Sequence, residues 1–301
     1  MVPCGCGKLG KLRLAEIGRF RERVRWLKYY IKSCREIAVQ YTALVSSEEI
    51  LAWEPPPPDR RLPYGSDCSQ FVDVRIPLDK GPHPIVFFIH GGWWRAKYNV
   101  TYAGHLCEAL KEAGIATWNV EYRRMSSPGG GWPGTFDDVC TAYRMLQNGR
   151  DHGLSELDLK RVCVAGHSAG GHLALSLAAH EPALTRVVSL AGVLDLHRAW
   201  ELHLSNDAVH EFLGGSPADL PDRYIEASPA EQQIHARQIL VHGTTDDSVP
   251  YEISQSYAEK KKQSGEDVEL VTLPDMGHFE IVDPESTVWK TVENIFVHFT
   301  R

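Results

Sequence analysis

The chain has 301 residues, 43% of them hydrophobic and 24% charged, which is enough apolar material for one sizeable core and excludes wholesale disorder. No run approaches the roughly 18 to 20 uninterrupted apolar residues that span a bilayer, and the mean hydropathy of -0.28 agrees, so no integral membrane segment is expected. A net charge of -7 and an isoelectric point near 6.1 lack the basic footprint of a nucleic-acid binder, so no nucleic-acid partner is expected.

Residues 1–36 hold ten Lys/Arg against three Glu, making this stretch +7 and the remainder -14. Over residues 12–45, Ile17, Phe20, Val24, Leu27, Ile31, Cys34, Ala38 and Tyr41 recur at steps of three and four, the stripe of a long amphipathic helix with a basic outer face. Docking of that stripe on the nearest body is the favoured reading; peripheral contact with an anionic membrane is the lesser one. Four prolines, Pro55 to Pro58, fix φ and remove donors, so residues 1–58 read as a basic helix and a stiff linker, and 59–301 as the main domain. The seven cysteines are odd in number and scattered, and the first residues lack a secretory apolar core. Reduced thiols and a cytoplasmic location are expected.

Beyond the linker, strands are expected at 71–78, as an edge, and then at 85–89, 114–122, 161–165, 186–190, 238–241 and 268–273. Helices are expected at 136–147, 171–180, 253–263 and 285–298. Short apolar strands alternating with helices predict an α/β fold with a mostly parallel central sheet covered by helices on both faces. The irregular stretch 195–232 is a possible cap.

Three segments carry chemistry. Gly166-His167-Ser168-Ala169-Gly170 follows the apolar strand Val162-Cys-Val-Ala165 and opens an Ala/Leu-rich helix, the strand, sharp turn and helix that expose a nucleophilic serine. A serine hydroxyl is a weak nucleophile near neutral pH, so it needs a histidine base and a carboxylate to orient that base. Each partner is expected on a loop after a later strand, acid first. Asp246 is taken as the acid and His278 as the base; Asp247 and Asp195 are rivals for the acid. His167 and His172 flank the serine and are read as packing or hydrogen-bonding groups. Finally, His90-Gly91-Gly92-Trp93-Trp94 ends an apolar strand, where the amides of Gly92 and Trp93, with that of Ala169, can hold the negative charge of a tetrahedral intermediate. Trp94 and Trp132 are expected near the pocket mouth as substrate contacts.

On these motifs, residues 64–299 resemble the α/β-hydrolase superfamily, in the branch with an H-G-G-x-W oxyanion motif that includes carboxylesterases, acetyl-xylan and feruloyl esterase-like proteins and kynurenine formamidase. Gly277-His278-Phe279-Glu280-Ile281-Val282 is similar to the sequence around the catalytic histidine of animal arylformamidases. Glu121-Tyr-Arg-Arg124 with Gly129 to Thr135 looks more like bacterial-type esterases or prolyl-oligopeptidase-like hydrolases. The resemblance implies an α/β-hydrolase catalytic domain over 59–301 that hydrolyses a small-molecule ester or amide through an acyl-serine. Hydrolysis of small or aryl carboxylic esters leads, arylformamidase activity is the alternative, and a catalytically silent binding module is the other class. No metal or organic cofactor is expected, because the metal-ligand and dinucleotide fingerprints are missing.

Overall fold

In the computed structural model, which describes residues 44–149 and 154–300, the apolar runs pleat into one eight-stranded sheet. The strands are β1 (Arg60–Pro63), β2 (Phe71–Arg75), β3 (His83–Ile89), β4 (Ala116–Val120), β5 (Leu157–His167), β6 (Arg186–Leu190), β7 (Arg237–Gly243) and β8 (Val268–Leu273), in the spatial order β1-β2-β4-β3-β5-β6-β7-β8. β2 runs antiparallel to both of its neighbours, and every pair from β4 to β8 is parallel. This is the mostly parallel sheet expected from the alternation of strands and helices.

Side chains alternate across a strand, so one β3 feeds two cores. Ile85, Phe87 and Ile89 pack with Val139, Leu173, Ile253 and Tyr257 on one face. Val86 and Phe88 pack with Leu106, Leu110, Val292 and Phe296 on the other. Helices Gly134–Gln147, Ala169–His180 and Tyr251–Gln263 supply the first group, and Gly104–Glu112 and Trp289–Phe299 the second. The inner strands are therefore buried on both faces, which explains their near-continuous apolar sequences.

Three expectations need correction. The strand at Phe71 is not an edge, because β1 pairs outside it; Arg60-Arg-Leu-Pro63 has no apolar alternation, and its register is held by Arg61, whose guanidinium donates to both carboxylate oxygens of Asp73 and lies over the Phe71 ring. Helix Gly104–Glu112 was not anticipated. The compact unit begins at Leu44, so residues 44–58 belong with the body: Ile50 of helix Ser47–Ala52 is fully buried, and Arg75 donates to the carbonyl of Pro56 at 2.8 Å. The amphipathic helix expected over 12–45 lies outside the described residues up to position 43. Stretch 195–232 is helical, with helices Leu196–Glu201, Leu204–Leu213 and Pro221–Ala227. Among the described residues no helix is long and apolar enough to cross a membrane.

Candidate active site

Because β3 and β5 through β8 run parallel, the loops that leave their C-terminal ends gather along one edge of the sheet. The three chemical segments all leave that edge: His90 to Trp94 after β3, Ser168 after β5, and Asp246 and His278 after β7 and β8.

Ser168 sits at φ 57°, ψ -121°, a conformation that side chains rarely adopt, between the end of β5 and the first turn of helix Ala169–His180. The turn closes only around glycines: a Cβ on Gly166 would lie 2.1 Å from the carbonyl oxygen of Gly170, and one on Gly170 would lie 2.0 Å from that of Ile89. The Ser168 amide donates to the carbonyl of Leu190 at 2.8 Å, pinning the elbow to β6.

His278 Nδ1–H donates to Asp246 Oδ2 at 2.7 Å, and both side chains are almost wholly buried. The other oxygen of Asp246 accepts the amides of Ser248 and Val249 at 2.9 and 2.8 Å. A second histidine, His242, contacts the same carboxylate through Nε2 at 3.2 Å while that nitrogen also donates to the carbonyl of Val249. Its Nδ1 accepts from the Ser254 hydroxyl at 2.7 Å. Burial pushes the Asp246 carboxyl up, but the charge of His278 and the hydrogen bonds from both histidines outweigh it and hold the group well below the usual carboxylate range. Of the rival acids, Asp247 is exposed and, among the described residues, accepts only the Ser248 hydroxyl, and Asp195 caps helix Leu196–Glu201 by accepting the amide of Arg198. Sequence reasoning missed His242; its place four residues before Asp246, at the end of a buried strand, was the available signal.

Ser168 and His278 line one cavity of about 260 Å³, together with Gly92, Trp93, Tyr98 and Phe279. Gly92 and Trp93 have φ of 109° and 52°, in the left-handed region, on the loop that also lines the cavity. Among the described residues the amides of Gly92, Trp93 and Ala169 have no protein acceptor. Trp94 and Trp132 do not line this cavity. The loop twists so that Trp93 faces the cavity and Trp94 the core, where Trp94 is fully buried and stacked on Phe212 at 4.1 Å. Trp132 stacks on Phe136 at 5.0 Å. Ser205, from stretch 195–232, reaches the cavity wall.

His172 meets Trp94, Trp132 and Phe212 edge-on or tilted, and its Nε2–H donates to the carbonyl of Ala227 at 2.9 Å. Burial lowers its pKa to about 4, and the hydrogen bond only partly opposes this. The folded state therefore binds fewer protons than the unfolded one between the ordinary value of 6.5 and about 4. Stability is full above that window and falls as the pH drops through it, by on the order of 3 kcal/mol. Thermal melts across the window should show this acid limb, and His172→Gln should flatten it; parallel limbs would assign the loss to other groups.

The family model described as BD-FAE matches residues 72–261. Esterase LipC of Mycobacterium tuberculosis is 25% identical over 296 residues, covering 85% of this chain and 72% of its own. A kynurenine formamidase of Meyerozyma guilliermondii is 32% identical over 116 residues, 38% of this chain and 41% of its own length. Among solved structures, a truncated carbohydrate esterase from gut microbiota superposes with a TM-score of 0.68 at 22% identity, covering 80% of this chain and 95% of the other, a likeness of fold.

Proposed function

The chain belongs to the BD-FAE family and has the α/β-hydrolase fold, and from that premise we propose that it is a serine esterase that hydrolyses small or aryl carboxylic esters through an acyl-serine. The observation that carries the reading is the 2.7 Å hydrogen bond between Asp246 and His278 beside the cavity that Ser168 lines.

In this reading Asp246 holds the proton on His278 Nδ1, which leaves Nε2 as the basic nitrogen. Nε2 takes the proton of Ser168 as Oγ attacks the ester carbonyl carbon. The oxyanion that forms is held by the amides of Gly92, Trp93 and Ala169, whose unused hydrogen bonds favour the intermediate over the flat substrate. Collapse breaks the carbon–oxygen bond to the alcohol, which leaves with the proton from His278. Water then repeats the sequence on the acyl-serine, and acid and free serine result. The modest cavity and its Trp93, Tyr98 and Phe279 walls suit a small, flat substrate.

The same steps on a formamide expel an amine, and the formamidase likeness together with Gly277 to Val282 supports that second reading. A panel of p-nitrophenyl esters and N-formylkynurenine separates the two. Ester hydrolysis is expected to have the higher kcat/KM. The reverse order would move the assignment to arylformamidase, and turnover of neither would favour a silent binding module.

A further inference from the structure

Tyr102 and His167 are among the cavity-lining side chains that have no part in the steps above. Tyr102 lies in the 3-10 turn Val100–Ala103 and His167 ends β5, one residue before the serine. Both are buried, at 2% and 1% exposure. The Tyr102 hydroxyl accepts the amide of Gly91 and lies 3.0 Å from His167 Nδ1. His167 Nε2 lies 2.9 Å from the backbone oxygen of His278.

Chemistry allows one arrangement of protons here. A carbonyl only accepts, so His167 Nε2 carries the hydrogen, and Nδ1 of the neutral ring is an acceptor. The Tyr102 hydroxyl therefore donates to Nδ1 while accepting from Gly91. The result is one directed chain, from Gly91 N–H to Tyr102 O–H to His167 and from His167 N–H to the His278 carbonyl. Its first member adjoins Gly92 and Trp93, and its last belongs to the base. The rings of His167 and His278 are also in contact, with centroids 4.5 Å apart. Burial, and then the charge of His278, keep the His167 pKa well below its ordinary value, so the ring stays in the neutral form that the chain requires.

From this geometry we infer that Tyr102 and His167 are positioning residues: a relay that holds the oxyanion loop and the loop of His278 in register with each other across the nucleophile. The inference rests on the serine-esterase reading. Tyr102→Phe removes one oxygen and leaves two buried groups, Gly91 N–H and His167 Nδ1, without a partner. The imidazole is then free to adopt its other tautomer, which strips the donor from His278. Catalysis depends on sub-ångström placement of base and oxyanion donors, so losing the relay affects the rate more than binding.

The test uses the full chain, with Tyr102→Phe, His167→Leu and the double variant. The readouts are kcat and KM for p-nitrophenyl acetate, the rate of labelling by a fluorophosphonate, and the melting temperature. Each single change should lower kcat and the labelling rate on the order of tenfold, with KM within about twofold. The double variant should lose about as much as the worse single, because either change breaks the same chain. Unchanged kcat in a folded Tyr102→Phe, or losses that multiply in the double variant, would overturn the relay. Tyr102→Phe suffices for the decision if His167→Leu does not fold. Failure of the unmodified protein to label at all would instead reject the serine reading itself, so the two failures are distinguishable.

Discussion

Ser168→Ala should lower ester turnover on the order of 10³-fold or more, while the protein melts within a few degrees of the unmodified chain. In the proposed mechanism the rate effect is large because the substitution removes the oxygen that would carry the acyl group. The amides of Gly92, Trp93 and Ala169, to which we assign the oxyanion, and the cavity remain, so residual hydrolysis above the uncatalysed rate is expected. The stability effect is small for two reasons. The Ser168 side chain makes no hydrogen bond within the described residues, and alanine at φ 57° carries the same backbone strain as serine. Near-native turnover by purified Ser168→Ala would place the nucleophile elsewhere.

The second large effect separates adjacent carboxylates. Asp246→Asn should cost on the order of 10³-fold in kcat, whereas Asp247→Asn should stay within about twofold. An asparagine at 246 can turn a donating amide toward His278 Nδ1 and favour the tautomer whose Nε2 already carries a proton. That histidine cannot take a proton from serine. The amides of Ser248 and Val249 sharpen the asymmetry, because they donate to the other oxygen of Asp246 and would hold the oxygen of the replacement there, which leaves its NH2 facing His278. Asp247 points to solvent and accepts one hydroxyl from Ser248. The comparison needs steady-state rates on both variants at matched fold content, and the opposite ranking would transfer the role to Asp247.

Features carried by short contiguous segments were legible in the sequence. The strand, glycine turn and helix around Ser168 are encoded within a dozen residues, and the loop after β7 follows an apolar run that forms a buried strand. The parallel sheet followed from the alternation of those runs with helices. Features set by distant partners were not legible. β1 depends on an ion pair between Arg61 and Asp73, and nothing local in Arg60-Arg-Leu-Pro63 announces it. Trp93 and Trp94 are neighbours in sequence, yet positive φ values at both send one ring to the cavity and the other to the core. Tyr102 comes from a turn with no motif of its own and meets His167 only through the fold.

The central claim is that Ser168, driven by His278 and Asp246, is the group that bonds to the acyl carbon. The most direct measurement is the site of fluorophosphonate attachment, read from the mass of proteolytic peptides of the full chain. One adduct on Ser168, lost on heat denaturation before labelling and absent from His278→Ala, is the result expected. An adduct on any other residue, or equal labelling of native and denatured protein, would contradict the account.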